Sequence, residues 1–285
     1  MISTEGYFKT ADGPELFYRG WRPDANSETK AVITIVHGGG EHSGRYLNPV
    51  NYLVPRRYAV YAYDLRGHGK SPGKRGHINR FAEYIDDTNS FLQFVRKEEQ
   101  GKPVFLLGHS LGGLIAADYA LGHPELPGLI LSSPFLILKM KVPGWKSAIA
   151  KVASYVMPSL TLRNGLTADD LCREREVCIM YRRDPLVHDL ASVRFYTEML
   201  AAQARTLRKA GDLKTPLLVL YGSADRIADP EGSKAFYESA GCGDKRIHGY
   251  EGYYHEIFNE KDNQVVFGDL LKWVELKIAG LEKSV

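Results

Sequence analysis

An α/β fold, with a mostly parallel central sheet flanked by helices and a helical subdomain inserted late in the chain, is what the hydrophobic pattern predicts. Three observations carry this expectation. The runs "AVITIV", "YAVYAYD", "PVFLL", "LPGLILSS" and "TPLLVLYG" are short, rich in β-formers and apolar throughout, as strands covered on both faces are. Stretches of helical period lie between them, so the strands run parallel, with crossover helices on both faces. The alternation then breaks between about Pro134 and Asp212, where helix-like patches occur without a buried-strand run.

Taken in order, the turn signal "DGP" leads into "ELFYRGW", whose alternation reads as an early antiparallel strand. "AVITIV" and "YAVYAYD" follow as buried strands. The clearest helix comes next: Phe81, Tyr84, Ile85, Thr88, Phe91, Leu92 and Val95 fall at i, i+3, i+4, i+7 spacing and form one apolar stripe. "PVFLL" is a strand feeding directly into the helix "LGGLIAADYALG", and "LPGLILSS" is the strand after it. A structureless loop as long as the next segment would be anomalous, and "GWKSAIAKVASYVM" and "ASVRFYTEMLAAQARTL" mark that segment as helical. "TPLLVLYG", "KRIHGYEG" and an amphipathic C-terminal helix containing Trp273, Val274 and Ile278 complete the core. Residues 1–134 and 213–285 therefore make the sheet core, and 135–212 an inserted helical cap.

Composition narrows the partners. With 44% hydrophobic and 25% charged residues among 285, the chain has the make-up of a globular protein with a substantial core. Its 37 basic and 34 acidic residues leave a net charge of +3 with no long block of one sign, so nucleic acid is not implied. Cys172, Cys178 and Cys242 form neither a C-x-x-C pair nor a disulfide framework, which reads as a reducing, intracellular setting. No apolar run approaches the roughly 18 residues of a membrane span, and the N-terminus carries no apolar signal core. The expectation is a cytoplasmic protein, with peripheral membrane contact left open.

The chemistry concentrates around "PVFLLGHSLGGLIAA". Gly108-His109-Ser110-Leu111-Gly112 is a G-x-S-x-G between a buried strand and a helix. That is the setting of a nucleophile elbow, a turn too sharp for flanking side chains that holds a serine hydroxyl out of the sheet. The plainer alternative is a glycine-rich packing contact. A serine hydroxyl needs a base to take its proton, and the base needs a third group to hold its tautomer. In this topology the order is serine, acid, histidine, each after a strand. "SADRIADP" after "LLVLYG" offers Asp225 and Asp229; Asp225 is nearer its strand end, and Asp229 is better placed to start a helix before Pro230. "YYHEIF" after "KRIHGYEG" offers His255. "IVHGGGEHSGRY" follows the first buried strand, and its consecutive glycines leave backbone N–H groups bare. Together with the N–H after the nucleophile they would form an oxyanion hole, with Gly39 and Leu111 as donors.

These residues resemble the serine hydrolases of the α/β-hydrolase fold, and more narrowly the monoacylglycerol lipase and lysophospholipase family. The likeness rests on "HGGGEHSGRY", "YDLRGHGKSPGKRGH", "GHSLGG", "YGSADRIADP" and "YEGYYHEIFNE", in that order, and covers nearly the whole chain outside the insert, where only "RRDPLVH" matches. The resemblance implies a serine carboxylic ester hydrolase acting on monoacylglycerol or lysophospholipid-type lipid esters. It assigns Ser110, Asp225 and His255 to the triad and Gly39 and Leu111 to the oxyanion hole, and sets Glu41, Arg45 and His109 near the polar head of the substrate. The alternatives are a small-ester carboxylesterase, a serine aminopeptidase-like amide hydrolase, and a non-catalytic ligand-binding member of the fold.

No cofactor or metal is implied. "GHGKS" ends like a phosphate-binding loop, but Asp64 stands where its first glycine must be; "HGGGEHS" has Ser43 at the last glycine of a dinucleotide fingerprint; "HEIFN" ends in Asn259 where a zinc motif needs histidine. His37, His42, His68 and His77 have no ligand spacing and read as hydrogen-bonding loop residues. In the insert, "FLILKMKVPGW" carries Phe135, Leu136, Ile137, Leu138, Met140, Val142 and Trp145, more apolar surface than a solvated linker would expose. The insert is expected to form a helical cap that lines an acyl-chain tunnel over Ser110, the plainer alternative being that these residues bury against the sheet core. Lys139, Lys141 and Lys146 are placed to keep the segment soluble or to meet an anionic lipid surface.

Overall fold

A computed structural model describes residues 1–25, 27–139 and 144–283. The chain enters as a hairpin of β1 (Ile2–Lys9) and β2 (Glu15–Arg22). β3 (Ala31–Val36), α1 (Leu47–Leu53) and β4 (Tyr58–Tyr63) follow, then α2 (Ala82–Glu98), β5 (Val104–His109), α3 (Leu111–Ala120) and β6 (Leu129–Ser132). The insert comprises α4 (Gly144–Val156), β7 (Thr161–Arg163), α5 (Arg175–Arg183), β8 (Leu190–Ser192) and α6 (Val193–Arg208). β9 (Leu217–Gly222), α7 (Pro230–Ser239), β10 (Lys245–Tyr250) and α8 (Gln264–Glu282) return the chain to the core.

The main sheet has the order β1-β2-β4-β3-β5-β6-β9-β10. β1 and β2 are antiparallel to their neighbours, and every pair from β4 to β10 is parallel. All residues of β3, β4, β5 and β6 are buried, which is why those runs are apolar without alternation. Alternate residues still serve different layers. Val32 and Val36 of β3 join one core cluster with residues of α2 and α3, while Ala31, Ile33 and Ile35 join another with residues of α1 and α8. In α2 the predicted stripe faces inward, with Tyr84, Thr88, Phe91, Leu92 and Val95 buried.

Register decides where function can sit. Val36 pairs with Gly108, Gly108 with Leu131, Ser132 with Leu220 and Tyr250 with Gly222, so the carboxyl ends of five strands reach one edge of the sheet together. β3 has β4 on one side and β5 on the other, and the reversal of chain order there opens a crevice at that same edge. The loops after β3, β5, β6, β9 and β10 all converge on it.

The insert departs from a purely helical expectation. β7 and β8 form a two-stranded antiparallel ribbon, Leu162 opposite Ala191. Three residues per strand are too few to leave an alternating signature. α5 was not apparent in the sequence either, because it is only nine residues long and its inward face, Val177, Cys178 and Tyr181, is a single turn flanked by charged residues. α6 is tied to the core: the Arg205 guanidinium forks onto Asp118 of α3, at 3.2 and 2.5 Å. Among the described residues no helix is long and apolar enough to cross a membrane.

Candidate active site

Ser110 stands between β5 and α3 with φ 52 and ψ −117, a left-handed conformation that few non-glycine residues adopt. The turn is possible because its neighbours lack side chains. A Cβ on Gly108 would lie 2.2 Å from Gly112 O, and one on Gly112 would lie 2.0 Å from Val36 O. The Ser110 N–H donates to Ser132 O at 3.0 Å, and its carbonyl accepts from Leu114 N and Phe135 N. An elbow tip suggests an exposed hydroxyl, but Ser110 is 8% exposed, since Phe135, Leu166 and Ile227 line the cavities it opens into.

Asp225 follows β9 and His255 follows β10. His255 Nδ1 lies 2.7 Å from Asp225 Oδ2, and because a carboxylate only accepts, that nitrogen carries the proton, which leaves Nε2 able to accept one. The other Asp225 oxygen is fixed by the N–H groups of Ile227 and Ala228, at 2.8 and 3.0 Å. Burial disfavours the charged ring, but the Asp225 carboxylate, helped by Glu256 and Glu41, outweighs it and holds the His255 pKa above the usual 6.5. Asp229 has a different place: it caps α7, accepting from Glu231 N, and pairs with Lys139. Ser110, His255 and Gly39 line one small cavity. Among the described residues no hydrogen bond closes between the Ser110 hydroxyl and the His255 ring, a bond that often tightens only with substrate present.

The loop after β3 brings Gly39 against Leu111, whose side chain would lie 3.6 Å from a Cβ on the glycine. Gly38 N–H is occupied by Glu41 Oε1 at 2.6 Å. The next amide, Gly39, and that of Leu111 donate to no acceptor among the described residues. The predicted loop histidines do hydrogen-bond: His37 sits between Gly38 O and the Leu65 N–H, His68 lies near Arg66 O, and His77 reaches the insert at Ser192 Oγ. His42 reaches into the insert, with Nε2 2.8 Å from Asp184 Oδ2. There too the His188 N–H donates to Gly40 O at 2.9 Å, and a Cβ on Gly40 (φ 79) would lie 2.3 Å from His188 O.

Glu41, Arg45 and His109 line the same cavity as Ser110, joined by Tyr181 of α5 and Glu256, which sequence reasoning missed. Burial and the neighbouring His255 drop the His109 pKa to about 4, so its ring is neutral at ordinary pH. Burial raises the Glu41 carboxyl, but Arg45, His109, His37 and a hydrogen bond from Tyr46 bring it down to about 2. From Ser110 a second, mostly apolar cavity of about 440 Å³ runs under the insert, lined by Phe135, Leu138, Leu162, Val193, Phe195 and Met199 among others. A more open hollow of about 740 Å³ at Lys74, Arg75 and residues 156–161 holds none of Ser110, Asp225 and His255. Within "FLILKMKVPGW", Phe135 and Leu138 line the apolar cavity, while Leu136 is buried in the core, 1% exposed. Met140, Lys141 and Val142, and the side chains of Trp145 and Lys146, lie outside the described residues.

The family described as "Serine aminopeptidase, S33" matches residues 27–262. The chain belongs to this family. Among its relatives, the monoglyceride lipase of Homo sapiens is 36% identical over 94% of this chain and 89% of its own length. The monoacylglycerol lipase of Mycolicibacterium smegmatis is 32% identical over 96% and 99%. The crystal structure of Paleococcus ferrophilus monoacylglycerol lipase superposes with a TM-score of 0.83 at 36% identity, covering 93% of this chain and 99% of that one. This S33 member therefore has the α/β-hydrolase fold and is a carboxylic ester hydrolase, and the relatives connect it with lipid esters.

Proposed function

We propose that this hydrolase cleaves monoacylglycerol-type lipid esters, lysophospholipid being the nearest variant, through Ser110, His255 and Asp225. One observation carries the reading: His255, held 2.7 Å from the buried Asp225, shares a cavity with Ser110 at the foot of a 440 Å³ apolar cavity. His255 Nε2 takes the Ser110 proton as Oγ attacks the ester carbonyl carbon. The oxyanion accepts from the N–H groups of Gly39 and Leu111. His255 then gives its proton to the departing alcohol oxygen, leaving an acyl group on Ser110. Water, deprotonated by the same ring, attacks the acyl carbonyl, the bond to Ser110 Oγ breaks as His255 returns the proton to that oxygen, and the fatty acid leaves. The acyl chain occupies the apolar cavity, and the head group faces Glu41, Arg45 and His109.

Residues 135–212 act in this reading as a cap over Ser110. Its outer face supports peripheral contact with a lipid surface, since Ile149, Val152, Tyr155, Val156 and Met157 are all more than half exposed. Chain length tests the lipase assignment. Each buried methylene contributes about 0.8 kcal/mol, so kcat/KM should climb by roughly tenfold or more per added pair of carbons and level off where the cavity ends. Equal values for acetyl, octanoyl and dodecanoyl esters of one alcohol, measured below their aggregation limits, would replace it with a small-ester hydrolase.

A further inference from the structure

A buried cation sits between two buried carboxylates beside the proposed base. Arg45, Glu41 and Glu256 have side chains only 10%, 6% and 5% exposed. Arg45 Nη1 donates to Glu41 Oε2 at 3.0 Å and to Glu256 Oε1 at 2.5 Å, while Nη2 donates to Glu256 Oε2 at 2.9 Å. Its guanidinium also lies over the Tyr181 ring, 4.6 Å from the centroid. The carboxylates are themselves anchored. Glu41 Oε1 accepts from Gly38 N and the Tyr46 hydroxyl, and Glu256 Oε2 accepts from Asn259 Nδ2. The Glu256 N–H donates to Leu171 O at 2.7 Å.

Two features go beyond an ordinary buried ion pair. The bonds span three segments: the loop after β3 that carries Gly39, the loop after β10 that carries His255, and the insert. The charges also do not cancel, for one guanidinium faces two carboxylates. Glu256 is the residue next to His255, and both carboxylates favour the protonated ring. The charged and titratable groups around that imidazole are Asp225 from the loop after β9, Glu256 on its own loop, Glu41 and Arg45 from the loop after β3, His109 at the end of β5 and Tyr181 of α5. Arg45 is the one fixed cation in this set.

We propose that Arg45 is a positioning residue for the reaction, holding the oxyanion loop and the His255 loop in one register while supplying the counter-charge that keeps two buried carboxylates from locking a proton on the base. The proposal rests on the triad reading above. Removing the cation leaves both carboxylates acting on His255 unopposed, so the pH at which the ring loses its proton rises. Removing the Glu256 charge has the opposite sign. A residue that only braced the loops would lower the rate equally at every pH.

The readout is the pH dependence of Ser110 labelling by a fluorophosphonate, together with kcat/KM for a short soluble ester. For Arg45→Gln the midpoint should rise by about one pH unit, as expected for a unit charge lost within a buried cluster, giving a rate roughly tenfold lower on the acid side. For Glu256→Gln the midpoint should fall. Arg45→Lys keeps the charge but not the fork, so its midpoint should stay near that of the unaltered enzyme while kcat drops. A uniform loss in Arg45→Gln with an unmoved midpoint, or midpoints moving the same way in Arg45→Gln and Glu256→Gln, would overturn the proposal. If Arg45→Gln does not fold, an unchanged or raised midpoint in Glu256→Gln does so alone. Failure of the triad reading looks different: Ser110 of the unaltered enzyme would take no label at any pH.

Discussion

In β3 to β6 every residue is buried, whereas on α4 Ile149, Val152 and Tyr155 stand 60%, 66% and 79% exposed. Both regions are rich in apolar residues, and both border the cavity at Ser110. In the sheet, apolar side chains are packed from two sides, and that packing fixes backbone groups such as the Ser110 turn to within fractions of an ångström. On α4 the same kind of side chain faces water. The lesson is a division of labour: the proposed nucleophile and oxyanion donors hang from the fully packed strands, and the surface that could meet an aggregated lipid belongs to the region whose packing is incomplete.

The sharpest way to break this division is at the elbow. Ser110→Ala should lower kcat/KM by about 10⁵-fold or more while the melting temperature moves by a few degrees at most, because the hydroxyl carries chemistry and little packing. A residual rate above roughly a hundredth of the original would place the nucleophile elsewhere. Asp225→Asn comes next. It should cut kcat by about 10⁴-fold with little change in KM, since an amide no longer enforces the His255 tautomer. The sign for pH follows from the raised His255 pKa: the active ring is unprotonated, so activity should rise through a midpoint above 6.5, and losing the Asp225 charge should lower that midpoint. A flat profile from about pH 5 to 9 would remove His255 from the base role.

The smallest effect should come from the insert. Ile149→Ser combined with Val152→Ser should reduce hydrolysis of a long-chain monoacylglycerol in vesicles by about three- to tenfold, while a soluble butyrate ester is turned over unchanged. Stability should move by no more than about 0.5 kcal/mol per site, as at other exposed positions. Equal losses on both substrates would show that this face has no part in reaching lipid.

How far the sequence could be read follows the same boundary. The elbow was legible because the close approach of Gly112 to Val36 O leaves a glycine that can be seen in the sequence. Asp225 was legible because it follows an unmistakable buried strand, and His255 because the order serine, acid, histidine places it after the next strand, even though only Tyr250 of β10 is buried. Glu256 and Tyr181 were not, since their meaning comes from Arg45, and the Arg45–Glu256 contact joins residues 211 apart in sequence. The burial of Ser110 escaped for the same reason, being imposed by residues of other loops. β7, β8 and α5 lacked the length that a period requires.

The backbone bond from His188 to Gly40, and the ring of His42 set against Asp184, fasten the insert to the core at a point remote from its two chain junctions. A segment that merely sat on the sheet could be exchanged wholesale between homologues, bringing a new substrate range with it. Here a transplanted insert would have to arrive with a carbonyl and an amide at the right spot beside Gly40, or the recipient loop would have to change in the same step. Recombination at residues 134 and 212 is thus constrained by a point of contact far from either junction, and chimeras should be cut so that 40–42 and 184–188 come from one parent.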